Sequence, residues 1–403
     1  MMQPLLRSQL KTVTFAFIAF FIAVVLLMYP EQAFRSSIRG LSIWWDVVFP
    51  ALLPFFITAE MMMGFGVVHF MGVLLEPLMR PLFRVPGAGG FVMAVGLISG
   101  NPMGAKLTSR LREQGLISRE EGERLVSFTS TAGPLFIFGA VAVGFFESTS
   151  VGIILALAHY LGAFAVGFLM RFHEPKAPPS KPPVKKTGFI LLRALRAMHR
   201  ARLQDGRTLG QLIGQAVTSA VQTLLLIGGF IMMFSVLTHL VNYVGVTTLF
   251  NRGIAHVLEF LSFPASLSEA ITAGMFEITL GSQLASAASP AIPLMFKLTI
   301  VSLVIGFNGL SIHAQVASMI SRTDIRYAPY FVARLLHAII SSALTVLLYP
   351  LLQKHLHHMP ATVSVFHPLR TPLWTGLEWT SITILVLSCI FILCERIRHR
   401  SIS

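Results

Sequence analysis

Glu277 stands between Gly274 and Gly281 in the stretch AGMFEITLGSQ, with Thr279 two residues on. A second stretch of the same character, GLISGNPMGAK, carries Ser99, Gly100, Asn101, Pro102, Gly104 and Lys106. Glycine and proline disfavour a continuous helix, and an interrupted helix leaves N–H and C=O groups without intrahelical partners. At membrane depth such groups survive only where they line a cavity or are buried in protein. The N-termini of half-helices there favour an anionic group, and exposed carbonyls favour a cation. A carboxylate in such a place costs several kcal/mol unless it is protonated, paired or bound to a cation, which suits Glu277 to a coupling-ion or proton site. The structural alternative is that Glu277 simply pairs with His313, Gln315 or Arg334. One interruption alone would read as a packing kink, whereas two at matched positions favour a substrate site.

Other polar residues in apolar surroundings are few. Gly133 and Pro134 lie in SFTSTAGPLFIFGAV after the first broken stretch, and Asn308, His313 and Gln315 lie in VIGFNGLSIHAQVAS after the second. Glu60, Thr131, Gln222 and Arg334 complete the set. Lys106 could meet a substrate carboxylate, but its length predicts that it snorkels to the headgroups. His159 and His239 occur singly and read as packed or pore-facing. The cluster His355–His358 lacks neighbouring carboxylates or cysteines, so a metal site is not expected there. Phosphate-binding GxxxxGK[ST], GxSxG and HExxH patterns are absent from the sequence, and Cys389 and Cys394 are its only cysteines. Neither a catalytic centre nor a cofactor is expected.

With 54% hydrophobic and 12% charged residues and a mean hydropathy of +0.74, the chain cannot cover a soluble globule of 403 residues with polar surface. The apolar residues come in runs of about 20, the length of a membrane-spanning helix, so an all-α polytopic membrane protein is expected. The net charge of +14 does not call for nucleic acid, because the basic residues sit between apolar runs, as positive-inside topology requires. The first run reads as a retained signal anchor. Apolar segments fall at about 12–29, 46–70, 90–109, 125–146 and 150–171, then at 212–240, 266–289, 291–320, 328–352 and 372–394. If both ends and the basic central stretch Arg171–Arg207 are cytoplasmic, one segment on each side must enter and leave by the same face. The broken segments 90–109 and 266–289 fill that role as re-entrant hairpins, leaving about eight full spans; Arg35 and Arg39 run against this topology.

Matching features on the two sides lie about 170–180 residues apart, and the topology turns one unit upside down relative to the other. Inverted repeats with paired interrupted segments point to a secondary transporter with a midplane site. The expected organisation is an anchor helix and outer loop (1–40), a first unit with its following span (41–171), and a basic Pro-rich linker (172–211). A second unit with its following span (212–352) and a His-rich loop, last span and basic tail (353–403) complete it. Within the linker, FILLRALRAMHRARL has apolar and basic residues at helical spacing, so it forms either a basic amphipathic helix on the membrane or a solvated orientation signal.

The stretches EPLMRPLFRVPGAGG, GLISGNPMGAKLTSRLREQGLIS, EGERLVSFTSTAGPLFIFGAVAVGFF, GMFEITLGSQLAS and GLSIHAQVASMI resemble the YlbJ/SpoVV sporulation integral membrane proteins, of the nucleoside-recognition or Gate-domain group. The resemblance runs over most of the chain; Asn101 departs from it, standing where relatives carry an aromatic residue. It implies two Gate-type repeats, a place in the mother-cell-derived outer forespore membrane, and passage of dipicolinic acid towards the forespore for cortex formation. Dipicolinate and the lipid bilayer are the partners it implies; assembly into a homo-oligomer is left open. The alternatives are a non-transporting sporulation scaffold and a nucleoside or ion transporter.

Overall fold

The computed structural model describes residues 2–180 and 189–356, and every regular element among them is helical. The chain begins with α1 (Met2–Met28) and α2 (Pro30–Ile43), and a π-helical turn at Trp44–Val48 leads into α3 (Phe49–Gly64) and α4 (Val67–Phe83). Then come α5 (Ala88–Ser99), α6 (Met103–Glu113), α7 (Arg119–Thr129), a π-helical stretch at Leu135–Phe145 and α8 (Thr149–Met170). The second part holds α9 (Ile190–Asp205), α10 (Leu209–Tyr243), α11 (Val246–Phe260), α12 (Ser268–Phe276) and α13 (Ile278–Ala287). It ends with α14 (Leu294–Phe307), α15 (Gly309–Ile320) and α16 (Tyr327–Leu356).

Side chains set several of these boundaries. Ser118 and Glu121 form a reciprocal capping box at the start of α7, and Thr208 and Gln211 form another at the start of α10. Gly66, at φ +79, separates α3 from α4 by its left-handed backbone, and glycine is also needed because a Cβ there would lie 2.6 Å from the Met198 carbonyl oxygen. The two helices are bent by 81°, so the single segment expected over 46–70 is two helices.

α8, α14 and α16 pack together at the centre, where Val166, Val301, Val304 and Ala333 are buried. Small residues allow the close approach: a Cβ on Gly306 of α14 would sit 2.8 Å from Ala338 Cα of α16. The exposed faces of α8, α10 and α16 carry Leu161, Phe164, Leu225, Val332, Ile339 and Leu347, the surface expected of helices solvated by lipid.

Among the described residues, four helical segments are long and apolar enough to cross a membrane, namely Thr149–Met170, Leu209–Tyr243, Leu294–Ile320 and Tyr327–Gln353. Counting two bent pairs as spans raises this to 6. The span expected over 372–394, both cysteines and the basic tail lie outside the described residues, as do the linker positions 181–188 and most of the His355–His358 cluster. Pro30–Ile43, which overlaps the outer loop expected up to residue 40, forms the helix α2, and FILLRALRAMHRARL folds as α9 against α4.

Candidate functional site

Both broken segments of the sequence are broken in the structure. Between α5 and α6 the chain turns at Gly100, Asn101 and Pro102, with Gly100 at φ +78. Between α12 and α13 it turns at Glu277, a single extended residue. Two further breaks went unrecognised in the sequence, where 125–146 and 291–320 read as continuous. Residues Ser130–Gly133 separate α7 from the π-helical stretch that follows Pro134, and Asn308 separates α14 from α15 in a left-handed conformation. No proline lies at Asn308, so only the Asn-Gly pair signalled that break.

Each break seats against another because glycine leaves no room for a side chain. A Cβ on Gly100 would lie 2.5 Å from the Gly133 nitrogen, and the Cβ of Gly104 would collide with the Thr129 carbonyl. Ser99, which ends α5, is buried beside Gly133. In the second half, Gly281 has Gly274 Cα where its Cβ would be, and Gly309 lies against the carbonyls of Gly274 and Phe276. The two halves are then joined by Asn308, whose Oδ1 accepts from Asn101 Nδ2 at 3.0 Å while its Nδ2 donates to the Ser130 carbonyl at 3.0 Å.

α8 and α16 supply further partners for the buried backbone at Ser127–Ala132. Arg334, fully buried, donates from Nη1 to the Ser130 carbonyl at 2.9 Å and from Nη2 to the Ser127 carbonyl. Nη1 also donates to His337 Nδ1 at 2.8 Å, so His337 carries its proton on Nε2 and donates to the His159 carbonyl at 2.8 Å. His159 Nε2 accepts from the Ala132 N–H at 3.0 Å, and Tyr160 donates its hydroxyl to the Ala132 carbonyl at 3.1 Å. From the sequence Arg334 stands among the few polar residues in apolar surroundings and as a possible partner for Glu277, whereas Ser130 and His337 are not singled out. A signal was present: Tyr330, Arg334, His337, Ser341 and Thr345 recur at helical spacing in an apolar helix, and all five are buried.

Glu277 has none of the partners proposed for it. Its Oε2 accepts from the Leu280 N–H at 2.8 Å and its Oε1 from the Thr279 hydroxyl at 2.9 Å, which caps the N-terminus of α13. No basic side chain lies within ion-pair distance of it among the described residues. His313 turns elsewhere, donating from Nε2 to the Phe307 carbonyl at 2.9 Å and accepting from the Tyr327 hydroxyl at 2.6 Å. Gln315 is buried and reaches only Ser311, one turn back in α15.

The structure also corrects the reading of Lys106. It does not snorkel: its Nζ lies 2.9 Å from Glu60 Oε1, 3.3 Å from Ser219 Oγ and 5.2 Å from the centre of the Phe56 ring. Glu60 also accepts from Arg110 at 3.0 Å and from Ser219 at 2.8 Å, so one carboxylate ties together α3, α6 and α10.

A second ionic cluster joins the two halves away from the breaks. Glu123 accepts from Arg326 Nε at 2.7 Å and Nη2 at 2.9 Å, and from His173 Nε2 at 2.7 Å. Burial acts to raise its carboxyl, and the hydrogen bonds from Arg326 and His173 outweigh that, holding it below the ordinary range. Nearby, Arg112 grips both oxygens of Asp324 at 2.8 Å, and those hydrogen bonds hold Asp324 low as well.

Residues 45–164, which include the first break, match the Gate family, described as nucleoside recognition. The structure of CNTnw in an inward-facing substrate-bound state is similar at a TM-score of 0.42 and 13% identity, covering 87% of this chain and 86% of that one. An uncharacterized protein of Alkalihalophilus pseudofirmus is 24% identical over 166 residues, which is 40% of this chain and 34% of that one. The sporulation integral membrane protein YlbJ of Bacillus subtilis (strain 168) is 50% identical over 343 residues, covering 85% of this chain and 84% of that one. At that identity and coverage, this integral membrane chain belongs to the YlbJ family of sporulation proteins.

Proposed function

We propose that this chain is a multi-pass carrier for a small anionic solute, which crosses where the interrupted helices of two inverted halves meet. The observation that carries the reading is the Asn101–Asn308 hydrogen bond, which joins the first break of one half to the second break of the other. Interrupted helices in matched pairs are the arrangement in which secondary transporters hold their substrates. Sporulation-family membership and the chemistry of the site together favour dipicolinate, moved from mother cell towards forespore across the outer forespore membrane. That molecule is a small planar dianion, which needs N–H donors or a cation at membrane depth. In this reading α5–α6 and α12–α13 are re-entrant hairpins, and Glu277 is the proton or coupling-ion site, since no cation holds its charge.

One observation favours a second reading. The carbonyls of Ser127, Ser130 and Ala132 already have protein donors, which is what a non-transporting scaffold would require. The deciding experiment is uptake of labelled dipicolinate into proteoliposomes containing only this protein, with and without proton and sodium gradients. Uptake above empty vesicles is expected. Folded protein that gives none would leave the scaffold reading, and uptake of nucleosides instead would assign the chain a nucleoside substrate.

A further inference from the structure

Arg334 places a permanent positive charge at zero exposure, and no carboxylate lies within ion-pair distance of it among the described residues. Its terminal nitrogens hold two carbonyls and one imidazole nitrogen, all of them uncharged acceptors. The carbonyls at the C-terminal end of α7 supply the equivalent of about half a negative charge, which leaves the guanidinium only partly compensated. A buried charge in that condition is costly, and in membrane proteins it marks a place where a counter-charge arrives from elsewhere.

The groups around Arg334 that lack partners are suited to an anion. Arg334 Nε has no hydrogen-bond partner, and it can only donate. His159, 2% exposed, accepts through Nε2, so its Nδ1 carries the proton and is a second donor without a partner. The hydroxyl of Ser130, at zero exposure, is the third. All three belong to residues that bind or form one short stretch of backbone, Ser130–Ala132. Three buried donors without protein partners and a partly compensated cation thus gather around one helix break, a chemistry suited to an oxyanion.

We propose that Arg334, Ser130 and His159 form a subsite for one carboxylate group of the transported anion, with Arg334 supplying the charge and the other two supplying directed donors. The inference rests on the anion-carrier reading above and adds to it the place where the charge is met. A neutral diamide of the same shape offers carbonyl acceptors but no negative charge, so it leaves the Arg334 cation uncompensated and turns its own N–H groups towards donors, and it should bind far more weakly.

The test uses the full chain in lipid nanodiscs, with dipicolinate and its uncharged diamide as probes and binding read by calorimetry. The wild-type chain should bind dipicolinate and not the diamide. Ser130→Ala removes a hydroxyl that holds nothing in the structure, so it should keep the melting temperature of the free protein while weakening dipicolinate binding about tenfold. Arg334→Lys keeps the charge but loses the fork and should weaken binding further, while Arg334→Met is excluded as a probe because it deletes three structural hydrogen bonds. If both folded variants bind and take up dipicolinate as the wild type does, the subsite is wrong and the carrier reading stands. If the wild type ignores dipicolinate but binds succinate or benzoate with the same sensitivity to Ser130→Ala, the subsite stands and dipicolinate is the wrong solute. Equal binding of the diamide, or no carboxylate binding by folded wild type, overturns the proposal.

Discussion

The side-chain amide of Asn101 donates to the side-chain oxygen of Asn308 at 3.0 Å, across 207 positions of the chain. Asn308 is at φ 78, a conformation asparagine tolerates better than most residues, and that turn aims its amide at both Asn101 and the Ser130 carbonyl. Asn308→Gly keeps the backbone turn and deletes both hydrogen bonds. The variant should reach the membrane at near-normal level, lose about 1–3 kcal/mol of stability, and lose most solute uptake in proteoliposomes. Wild-type uptake by a folded Asn308→Gly protein would remove this contact from the transport path.

Glu277 combines two roles that one substitution can separate. As the cap of α13 it needs acceptor oxygens facing Leu280 N–H and Thr279 Oγ1, and glutamine retains one of them. Glu277→Gln should therefore cost about 1 kcal/mol, typical of a weakened N-cap, and leave insertion intact. As an ion carrier it needs a charge, which glutamine cannot supply, so gradient-driven uptake should disappear. Normal dipicolinate content in spores carrying this variant at normal protein level would reduce Glu277 to its capping role.

The helical class was legible from apolar runs of about 20 residues, the first hairpin break from Gly100, Pro102 and Gly104, and the second from a glutamate flanked by Gly274 and Gly281 in an apolar run. The breaks at Ser130–Gly133 and Asn308 were not, since their surroundings are apolar enough to pass as continuous spans; Leu294–Ile320 still satisfies the length and hydropathy of one. Side-chain partnerships were the least legible. Lys106 has the same stem whether it snorkels or turns inward, and only the fold brings Glu60 beside it. Arg334 and Glu277 were candidates for each other on charge alone, yet each sits at a different helix terminus, the carbonyl end of α7 and the N–H end of α13.

The Lys106–Glu60 pair should behave as a buried ion pair. Both side chains are nearly inaccessible, at 11% and 8% exposure, so removing one leaves the other in a medium that does not solvate it. Lys106→Met should destabilise the protein by about 3–5 kcal/mol, whereas Lys106→Met combined with Glu60→Gln should recover much of the loss. Thermal unfolding of the two single variants and the double variant in the same detergent measures the coupling. Strict additivity would place Lys106 back among the snorkelling lysines, as the sequence alone suggested.

Glu123 makes the stability of the protein depend on acid. Its carboxyl lies below the ordinary value in the folded chain because Arg326 and His173 donate to it against the effect of burial. A lowered carboxyl favours the folded state fully above the unfolded value of about 4.3, and the contribution is lost as pH falls through the lower folded value. Glu123→Gln cannot ionise, so at pH 7 it should melt a few degrees below wild type, on the order expected for losing charged hydrogen bonds. As the pH is taken from about 5 downwards, the wild-type carboxylate protonates and the two melting temperatures should converge. Asp324, held low by Arg112, loses its pair over the same range, so the melting temperature should fall with acid in the Glu123→Gln variant as well as in wild type. The diagnostic quantity is therefore the difference between the two proteins. A difference that stays constant from pH 7 into the acid range would show that the Glu123–Arg326 contact does not tie α7 to the turn before α16 through charge.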